Sequence, residues 1–431
     1  MDQEAPNQGL IFWPVGNGDS TTIVIDESHV MQVDLCDLAM AREEGAPVAA
    51  VVDRLVEMLP KDSRGKPYLA AFVLTHADRD HCTGFADLLR RVKIGEIWAT
   101  PRLWREYAEA GGGDGLCEDA QAFQKEAERR VAAVCSAINN GVKPAPGDRI
   151  RVIGYDTDRE DHPYSELPDE YQTYPGHAVT SIDGEDRAEA FEAFIHAPFK
   201  DDCAAARNDT SVAMQITLKD PSGGQGHALF FGDLAYETLR KIFDYSEDHD
   251  RTERLVWEVM LAPHHGSKKV MYVMDGGEEV LKEDILDAFT RHASDEATIV
   301  VSSAPFGAKD SPGDNPPHRC AREQYENIAN VLCTAEYPSE DSQPIVFALG
   351  TKGLELVEAQ EPGQIQGKTG SADLNRALAG AGILALLVGA RLVWREIQKR
   401  RGLDRAREAV VATRGDTAAP RQPVGFGASG S

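Results

Sequence analysis

The sequence has no CxxC motif, and its seven cysteines are scattered along the chain. They are Cys36, Cys82, Cys117, Cys135, Cys203, Cys320 and Cys333. An odd and scattered set of cysteines argues against a disulfide framework and predicts reduced thiols. The N-terminal sequence MDQEAPNQGL also lacks the basic and apolar regions of a signal peptide. Both absences predict a protein that is made and kept in the cytoplasm.

Basic residues are scarce: the chain has 45 Lys and Arg against 71 Asp and Glu, a net charge of -26. From Gln366 to the end there are 11 basic and 5 acidic residues, so residues 1–365 hold 34 basic and 66 acidic residues, a charge of -32. Residues 1–365, the acidic body of the protein, lack the row of basic residues interleaved with aromatic residues that broad nucleic-acid binding needs. A nucleic-acid substrate stays open, because bound metal ions change the local sign of the charge.

The longest apolar run near the C-terminus is short for a membrane span. Its fourteen uncharged residues, 377–390, cover about 21 Å as a helix, against a hydrocarbon core of about 30 Å. The run reaches about 27 Å at Trp394 if Arg391 snorkels. Because Trp394 and a basic cluster follow where an interface belt belongs, we expect a hydrophobic and basic helix over 376–410 that anchors the protein to the inner face of the cell membrane. The alternative is a helix that packs on a partner or on the body. A linker at 361–375 precedes it, and a disordered tail at 411–431 follows.

Hydrophobic patterning alternates between strands and helices, which predicts one α/β domain over residues 1–360. The predicted strands are 10–15, 21–25, 30–35, 69–74, 211–218, 227–231, 256–262, 298–302, 345–349 and 354–357, and the predicted helices are 47–59, 118–138 and 320–332. The segment from about 102 to 190 interrupts this order, and its part 156–186 is polar and rich in Tyr, Pro, Asp and Glu. We therefore expect an inserted helical and loop segment there, which is a candidate surface for a partner protein.

The strongest chemical signal is the sequence LTHADRDHCTG at 74–84, directly after a predicted strand. It places His76, Asp78, Asp80 and His81 within six residues. A loop that leaves a strand can turn several such side chains toward one point. Imidazole and carboxylate groups are the ligands of hydrolytic zinc, manganese and iron sites. Cys82 lies inside the same loop, but we expect it to point into the core.

Two later strand ends carry further ligand types. Asp233 follows the predicted strand 227–231 and Gly232, where a carboxylate could bridge two metal ions. The pair His264 and His265 follows the predicted strand 256–262. Each pattern alone is weak or moderate, but three clusters at strand ends in one chain together predict a metal centre.

At this point the chain resembles the metallo-β-lactamase-fold hydrolases, whose hallmark HxHxDH corresponds to HADRDH at 76–81. Asp78 takes the place of the second histidine, which is typical of the ComEC-type branch, the nuclease domain of the competence proteins and its soluble relatives. Further matches to that branch are VGNGDS at 15–20, VD at 33–34, NDTS at 208–211, GD at 232–233, PHHGS at 263–267 and PH at 317–318. The resemblance covers about residues 9–358. It implies an αββα sandwich of four layers, with two sheets packed face to face and helices outside.

The resemblance also implies roles for the matching residues. The metal ligands would be His76, Asp78, Asp80, His81, Asp233 and His264, with Asp233 bridging. The catalytic residues would be Asp80, His265 and His318, and the substrate contacts would be Asn208, Ser211 and Lys268. Asp19 and Asp34 would shape the site from behind the ligands. His264 is favoured over His265 as the ligand, although the sequence leaves the order open. Many relatives supply one more histidine from the middle of the chain, and its absence here leaves Mn²⁺ or Mg²⁺ open beside one or two Zn²⁺ ions.

The function that follows is metal-dependent hydrolysis by an activated hydroxide, most naturally of a phosphodiester, as in a nuclease or phosphodiesterase. The acidic body favours a small phosphodiester, such as a nucleotide second messenger or a lipid headgroup, over long DNA. One alternative is hydrolysis of a lactone, lactam or thioester, which the same fold supports. Another is a membrane-tethered effector of a bacterial defence or toxin system that is active only with a partner protein.

Overall fold

The computed structural model of the protein describes residues 5–109, 115–155, 162–200, 202, 207–311, 313–337 and 342–358. These residues belong to one compact unit, Met1–Pro362. The predicted linker, hydrophobic helix and tail at 361–431 lie outside the described residues. No helix in the described part is both long and apolar enough to cross a membrane.

Two large sheets contain most of the strands in the described part of the chain. The first has the order β20-β19-β1-β2-β3-β4-β5-β6-β7, with β1 (Gly9–Phe12), β2 (Thr21–Val24), β3 (Val30–Val33), β4 (Tyr68–Val73), β5 (Lys93–Ala99), β6 (Arg149–Ile153), β7 (Gln172–Thr173), β19 (Ile345–Gly350) and β20 (Gly353–Leu356). The second has the order β18-β17-β14-β13-β12-β11-β8, with β8 (Ala178–Val179), β11 (Phe191–Ala197), β12 (Ala213–Lys219), β13 (Gln225–Phe230), β14 (Trp257–Leu261), β17 (Ala293–Val301) and β18 (Asn330–Cys333). Two small hairpins are formed by β9 (Ser181–Ile182) with β10 (Glu185–Asp186) and by β15 (Tyr272–Asp275) with β16 (Glu278–Leu281).

Side chains alternate across the strands and build three separate cores. Leu10 and Phe12 of β1 point between the sheets, where they meet Phe230 of β13, while Ile11 packs on the outer face of the first sheet. Burying each large apolar side chain stabilises the fold by about 1.5–3 kcal/mol. Because the side chains that point between the sheets are apolar on both sheets, burying them holds the two sheets together.

Helices cover the outer face of each sheet. The helices are α1 (Val51–Met58), α2 (Arg79–Cys82), α3 (Phe85–Arg91), α4 (Arg102–Glu109), α5 (Glu118–Asn139), α6 (Tyr236–Asp248), α7 (Glu283–His292) and α8 (Arg319–Glu326). Buried residues of α1, α3 and α5 pack on the first sheet, and those of α6, α7 and α8 pack on the second. The order helix–sheet–sheet–helix is the predicted αββα sandwich of four layers.

Two predicted elements differ in the structure. The predicted helix over 320–332 is wrong in its second half, because α8 ends at Glu326 and residues 330–333 form β18, which pairs in parallel with β17. The segment 102–190, predicted as an insertion, contains α5, which packs in the core under the first sheet, and β6, which pairs in parallel with β5. This part of the segment belongs to the sandwich itself.

The strands next to the middle of both sheets run parallel, and their carboxyl ends lie at one edge. In the first sheet β3, β4 and β5 are parallel neighbours, and in the second β13, β14 and β17 are. Ligands of open α/β sheets bind outside the carboxyl ends of such strands. The residues that follow β3, β4, β13 and β14 are therefore placed to form one site.

His196 on β11 predicts a dependence of stability on pH. It is buried, its Nε2 lies 2.9 Å from the carbonyl oxygen of Arg254, and burial lowers its pKa to about 4. Since the folded pKa lies below the unfolded value of about 6.5, the unfolded chain binds the extra proton between these two values, and stability falls as the pH falls through that window. We expect His196 to account for about 2 kcal/mol of the loss between pH 7 and pH 5. Urea unfolding of wild type and His196→Gln at both values measures it; an equal loss in both proteins contradicts the assignment.

Candidate metal centre

The site is assembled from the ends of four parallel strands. Asp34 directly follows β3, His76 is the third residue after β4, Asp233 is the third residue after β13, and His264 and His265 follow β14 in a tight turn at Pro263–Gly266. The short helix α2, directly after the His76 loop, supplies Asp80 and His81. The three clusters of ligand types predicted from the sequence are thus brought together.

Asp233 lies at the centre of the cluster, with a different pair of imidazoles near each carboxylate oxygen. Its Oδ1 is 3.3 Å from Nε2 of His81 and 3.6 Å from Nε2 of His265. Its Oδ2 is 3.7 Å from Nε2 of His76 and 3.6 Å from Nε2 of His264. The four Nε2 atoms face one buried carboxylate, which divides the site into two halves.

Each half has a second carboxylate. Oδ2 of Asp78 lies 3.4 Å from Nε2 of His76, and Oδ2 of Asp80 lies 3.3 Å from Nε2 of His265. We call His76, Asp78 and His264 the first half-site, and we call Asp80, His81 and His265 the second half-site. Asp233 is shared between the two half-sites.

The ring of His81 is oriented by Asp34. Nδ1 of His81 lies 2.8 Å from Oδ2 of Asp34, which directs Nε2 toward Asp233. Asp34 also accepts hydrogen bonds from the backbone N–H of Thr75 (2.8 Å) and from its hydroxyl (2.6 Å). A carboxylate behind the ring fixes its orientation and makes it a stronger ligand. Asp34 therefore lies behind the ring of His81, on the side away from Asp233.

The other two buried rings are held in the same way. Nδ1 of His265 lies 3.3 Å from Oδ1 of Asp19 and donates to the carbonyl oxygen of Ser302 at 3.1 Å. Nδ1 of His76 lies 3.2 Å from the hydroxyl of Ser211, which also accepts from the N–H of Asp233 at 3.2 Å. In all three rings the Nδ1 atom is engaged and the Nε2 atom faces the centre.

A divalent cation fits this arrangement. The atoms Asp19 Oδ1, His76 Nε2, His81 Nε2, Asp233 Oδ1 and His265 Nε2 are buried and have no hydrogen-bond partner among the described residues. A buried polar atom without a partner costs about 1–3 kcal/mol, so a cluster of five is unfavourable unless something satisfies it. One ligand atom each from Asp19, His81, Asp233 and His265 lies within 4.8 Å of the others. This set of imidazoles and carboxylates suits Zn²⁺ or Mn²⁺.

Charge and burial shift the protonation of the cluster. Burial opposes ionisation of Asp233, but the charges of His81 and His265 hold its pKa well below the usual range. Burial likewise opposes protonation of His265, yet Asp19 and Asp233 raise its pKa to about 10. Burial lowers the pKa of His264, which keeps that ring neutral. The buried imidazoles of His81 and His265 and the carboxylate of Asp233 thus compensate one another's charge.

The backbone of the site adopts the left-handed conformation at several positions. The φ angles are +53° at Asp34, +50° at His264, +53° at His265 and +51° at Gly232. A Cβ atom at Gly232 would lie 2.8 Å from the Cβ of Ser211, so glycine is needed directly before Asp233. Non-glycine residues in this region are strained, and such strain concentrates at functional sites.

The predicted substrate contacts Asn208, Ser211 and Lys268 and the predicted catalytic residue His318 divide into two groups. Asn208 donates from Nδ2 to Oδ2 of Asp233 at 3.2 Å, and Ser211 touches His76, so both line the centre. Nζ of Lys268 instead lies 2.6 Å from Oε1 of Glu279. His318 accepts at Nδ1 from the N–H of Lys268 (3.3 Å), and its Nε2 lies 3.2 Å from the carbonyl oxygen of Asp314. Within the described residues, neither Lys268 nor His318 has a hydrogen bond or ion pair with a candidate ligand.

The preference for His264 over His265 as the ligand is not reflected in the geometry. His265 belongs to the group of ligand atoms that lie within 4.8 Å of one another, and His264 faces the other oxygen of Asp233. One member of the pair 264–265 therefore faces each half-site. Cys82 is buried in the core beside Cys117, as expected, with the two Sγ atoms 3.5 Å apart.

Sequence reasoning missed three residues of the site. Thr75 hydrogen-bonds Asp34, the carbonyl oxygen of Ser302 accepts from His265, and Arg207 contacts Asp78. Thr75 and Ser302 lie at the carboxyl ends of predicted strands, which is the signal that could have identified them. Arg207 directly precedes the Asn208 motif, but nothing in its local pattern marks it.

One solved structure with similarity to this chain is the metallo-β-lactamase MIM-1 from Novosphingobium pentaromativorans. The two share 12% sequence identity over 60% of this chain and 74% of that protein, with a TM-score of 0.27. No protein-family model matches the chain. No curated protein matches it either. The chemistry of the site therefore follows from its own side chains.

Asp34→Asn tests the orientation of His81. We expect the variant to bind the metal of the second half-site about 10–100-fold more weakly, the usual effect of losing a partner behind a metal-binding histidine. Titration of the metal-free protein with Zn²⁺ measures it. Asp26→Asn is a matched control, because Asp26 holds Nδ1 of His29 at 2.9 Å in a hairpin turn outside the centre. Equal affinities in wild type and Asp34→Asn contradict the role of Asp34.

Proposed function

We propose that the protein is a metal-dependent hydrolase with a two-part centre, and that its substrate is a phosphodiester. The observation that carries this proposal is the position of Asp233, whose two oxygens face separate pairs of histidine Nε2 atoms. A shared carboxylate between two ligand sets is the arrangement of a two-metal site. The motif resemblance to ComEC-type nuclease domains favours the phosphodiester over other bonds.

Metal ions at such a centre supply Lewis acidity and lower the pKa of bound water from 15.7 to about 7. The ligands would be His76, Asp78 and His264 in the first half-site and Asp80, His81 and His265 in the second, with Asp233 shared. The buried members hold the cluster rigid, because their Nδ1 and backbone atoms are already engaged by neighbouring strands. Rigid ligands on strand ends are what a preorganised site requires.

Substrate reaches the centre on the side of Asp80. The Asp80 side chain is 41% exposed and that of Asp78 29%, whereas Asp233 is 4% exposed. Although burial opposes it, contact with His265 and the charge of His81 lower the pKa of Asp80. Asp80 is therefore ionised at neutral pH, and its carboxylate can accept a hydrogen bond from an attacking water and orient it.

Charge favours a small substrate. Residues 1–365 hold 66 acidic and 34 basic residues, which repels long polyanions outside the centre. Lys268, the nearest predicted cationic contact, is paired with Glu279. A nucleotide second messenger or a lipid headgroup presents one phosphodiester without a long anionic chain, and so fits this surface better than duplex DNA.

The test combines metal content by mass spectrometry with hydrolysis of bis-p-nitrophenyl phosphate by the full chain. We expect near two metals per chain and turnover that is lost in Asp80→Ala. Asp80→Ala combined with His81→Ala should also lower the metal content and leave the fold largely intact. Asp275→Ala, at an exposed hairpin turn, is the control. Bound metal without phosphodiester turnover would direct the search to lactones, lactams, thioesters or a required partner, and absence of metal under every loading condition would overturn the proposal.

A further inference from the structure

Arg207 joins the first half-site to helix α4. Its Nη1 donates to Oδ1 of Asp78, and its Nε lies 2.7 Å from Oε2 of Glu106 on α4. Its Nη2 donates to the carbonyl oxygen of Gly115 at 3.2 Å. Glu106 in turn accepts from Nε of Arg102, one turn earlier on α4, at 3.0 Å. The result is a chain of alternating charges that ends at a candidate metal ligand.

The contact with Arg207 leaves Asp78 one free oxygen. Oδ1 is engaged by the guanidinium, and Oδ2 faces Nε2 of His76 at 3.4 Å. The always-charged guanidinium holds Oδ1 through Nη1, and the approach of Oδ2 to His76 then sets the rotation of the carboxylate. Asp78 is thereby oriented to present a single oxygen to the first half-site.

The second half-site is built differently. Asp80 has no arginine partner among the described residues, and its side chain is 41% exposed. Its histidines are instead backed by carboxylates, Asp34 behind His81 and Asp19 behind His265. Behind the His76 ring of the first half-site lie two hydroxyls rather than a carboxylate, those of Thr75 (3.1 Å from Nδ1) and Ser211 (3.2 Å), and so this half-site depends more on the orientation of Asp78.

Glu106 supports Arg207 from inside the protein. Its side chain is only 8% exposed, and a buried carboxylate outside the centre is costly unless it is paired. Arg207 lies between this carboxylate and that of Asp78, so a displacement of Arg207 would remove the arginine from Asp78 and leave Glu106 with Arg102 alone. Helix α4, which follows β5 in the segment predicted as an insertion, is thereby coupled to the metal loop.

We propose that Arg207 is a positioning residue that holds Asp78 as a one-oxygen ligand of the first half-site, with Glu106 as its support on α4. The inference rests on the proposed metal centre and deepens it. The affinity of the first half-site for metal then depends on α4, whereas that of the second half-site does not. Loss of the Arg207 contact is therefore expected to weaken one half-site and to separate the metal concentrations at which the two fill.

The experiment uses the full chain, stripped with a chelator and titrated with Mn²⁺ under electron paramagnetic resonance. Two neighbouring Mn²⁺ ions give a spin-coupled signal, and one alone gives the six-line signal of an isolated ion. We expect Arg207→Gln to weaken binding of one Mn²⁺ by about 10–100-fold and to leave the other unchanged, so that the six-line signal persists where wild type shows coupling. Glu106→Gln should weaken the same Mn²⁺-binding step by a smaller factor. Arg207→Lys should recover part of the lost Mn²⁺ affinity, because a lysine ammonium can still make a single contact with Asp78.

Arg254→Gln is the matched control, because Arg254 pairs with Glu192 and its side chain has the same 27% exposure as that of Arg207. A wild type that binds two Mn²⁺ together with an Arg207→Gln variant that binds both with unchanged affinity overturns the positioning role alone. Equal weakening of both steps, with lowered unfolding stability, also overturns it in favour of a structural role. A wild type that binds no Mn²⁺ overturns the proposed function and the positioning role with it.

Discussion

Asp233→Asn is expected to empty both half-sites at once. Each oxygen of Asp233 faces two histidine Nε2 atoms, and the amide nitrogen of asparagine would turn a donor toward one of these pairs. We expect affinity for metal to fall by more than about 100-fold in each half-site, since even partners behind the ligands account for about 10–100-fold. Hydrolysis should fall below detection. Mass spectrometry of metal content and the bis-p-nitrophenyl phosphate assay measure the two effects.

Asp37→Asn is the matched control for this variant. Asp37 is another buried aspartate near the end of β3, but it pairs with Arg42 rather than with the histidines. It should keep near two metals per chain. Far-ultraviolet circular dichroism of both variants shows whether the fold persists. Two tightly bound metals in Asp233→Asn would refute the central position of this carboxylate.

Metal affinity is expected to rise steeply with pH. In the metal-free protein, Asp19 and Asp233 raise the pKa of His265 to about 10, and Asp233 and Asp34 raise that of His81 well above its ordinary value, although burial opposes both shifts. Metal binds only the unprotonated ring, so each bound ion must displace a proton. We expect affinity at the second half-site to increase at least about tenfold per pH unit between pH 6.5 and 8.5.

The stability of the metal-free protein depends on pH with the opposite sign to the metal affinity. Because the folded pKa of His265 exceeds the unfolded value of about 6.5, its proton stabilises the metal-free protein fully below pH 6.5, and this stabilisation is lost as the pH rises through about 10.

The pH dependence of metal affinity is measured by calorimetric titration in two buffers of different ionisation enthalpy, which counts the protons released on metal binding. Asp19→Asn should release fewer protons at pH 8. An affinity that does not change with pH would contradict this account.

The elements that carry the ligands were predictable because their signals are local. Each ligand cluster directly follows a short apolar run, and a buried strand that ends in polar residues is recognisable within about ten residues. This is why His76, Asp233 and the pair at 264–265 were placed correctly at strand ends. The alternation of strands and helices likewise sufficed for an α/β domain, whereas the four-layer αββα order was implied by the resemblance to the metallo-β-lactamase-fold hydrolases.

The division of labour between His264 and His265 was not predictable, because it depends on backbone direction rather than on residue type. Both residues have left-handed φ angles, and the turn points one ring toward each oxygen of Asp233. A local pattern with two adjacent histidines contains no information on such a turn. Arg207 and Glu106 were missed for a related reason, since they are about a hundred residues apart in the chain and meet only when α4 packs beside the metal loop.

Strand β18 shows how tertiary pairing overrides a local pattern. The residues from 320 to 332 have helical spacing, yet the chain leaves the helix after Glu326 and Asn330–Cys333 adds to the edge of the second sheet beside β17. The partner of this edge strand is distant in the chain, because Asn330 pairs with Thr298, 32 residues earlier. Strand β6 likewise depends on tertiary pairing. It pairs with β5, although α4 and α5 lie between the two strands in the chain.

The left-handed turn at His264 and His265 sets a limit on how far this protein can be stabilised. A non-glycine residue in that conformation costs about 1–3 kcal/mol, which the rest of the fold must offset. Glycine at His264 would relieve this cost but remove a candidate ligand, whereas glycine at His265 would also leave the carboxylates of Asp19 and Asp233 without their partner. Selection or engineering for heat resistance alone would therefore erode the centre first at His264, and a thermostable form that keeps its activity must gain its stability elsewhere in the sandwich.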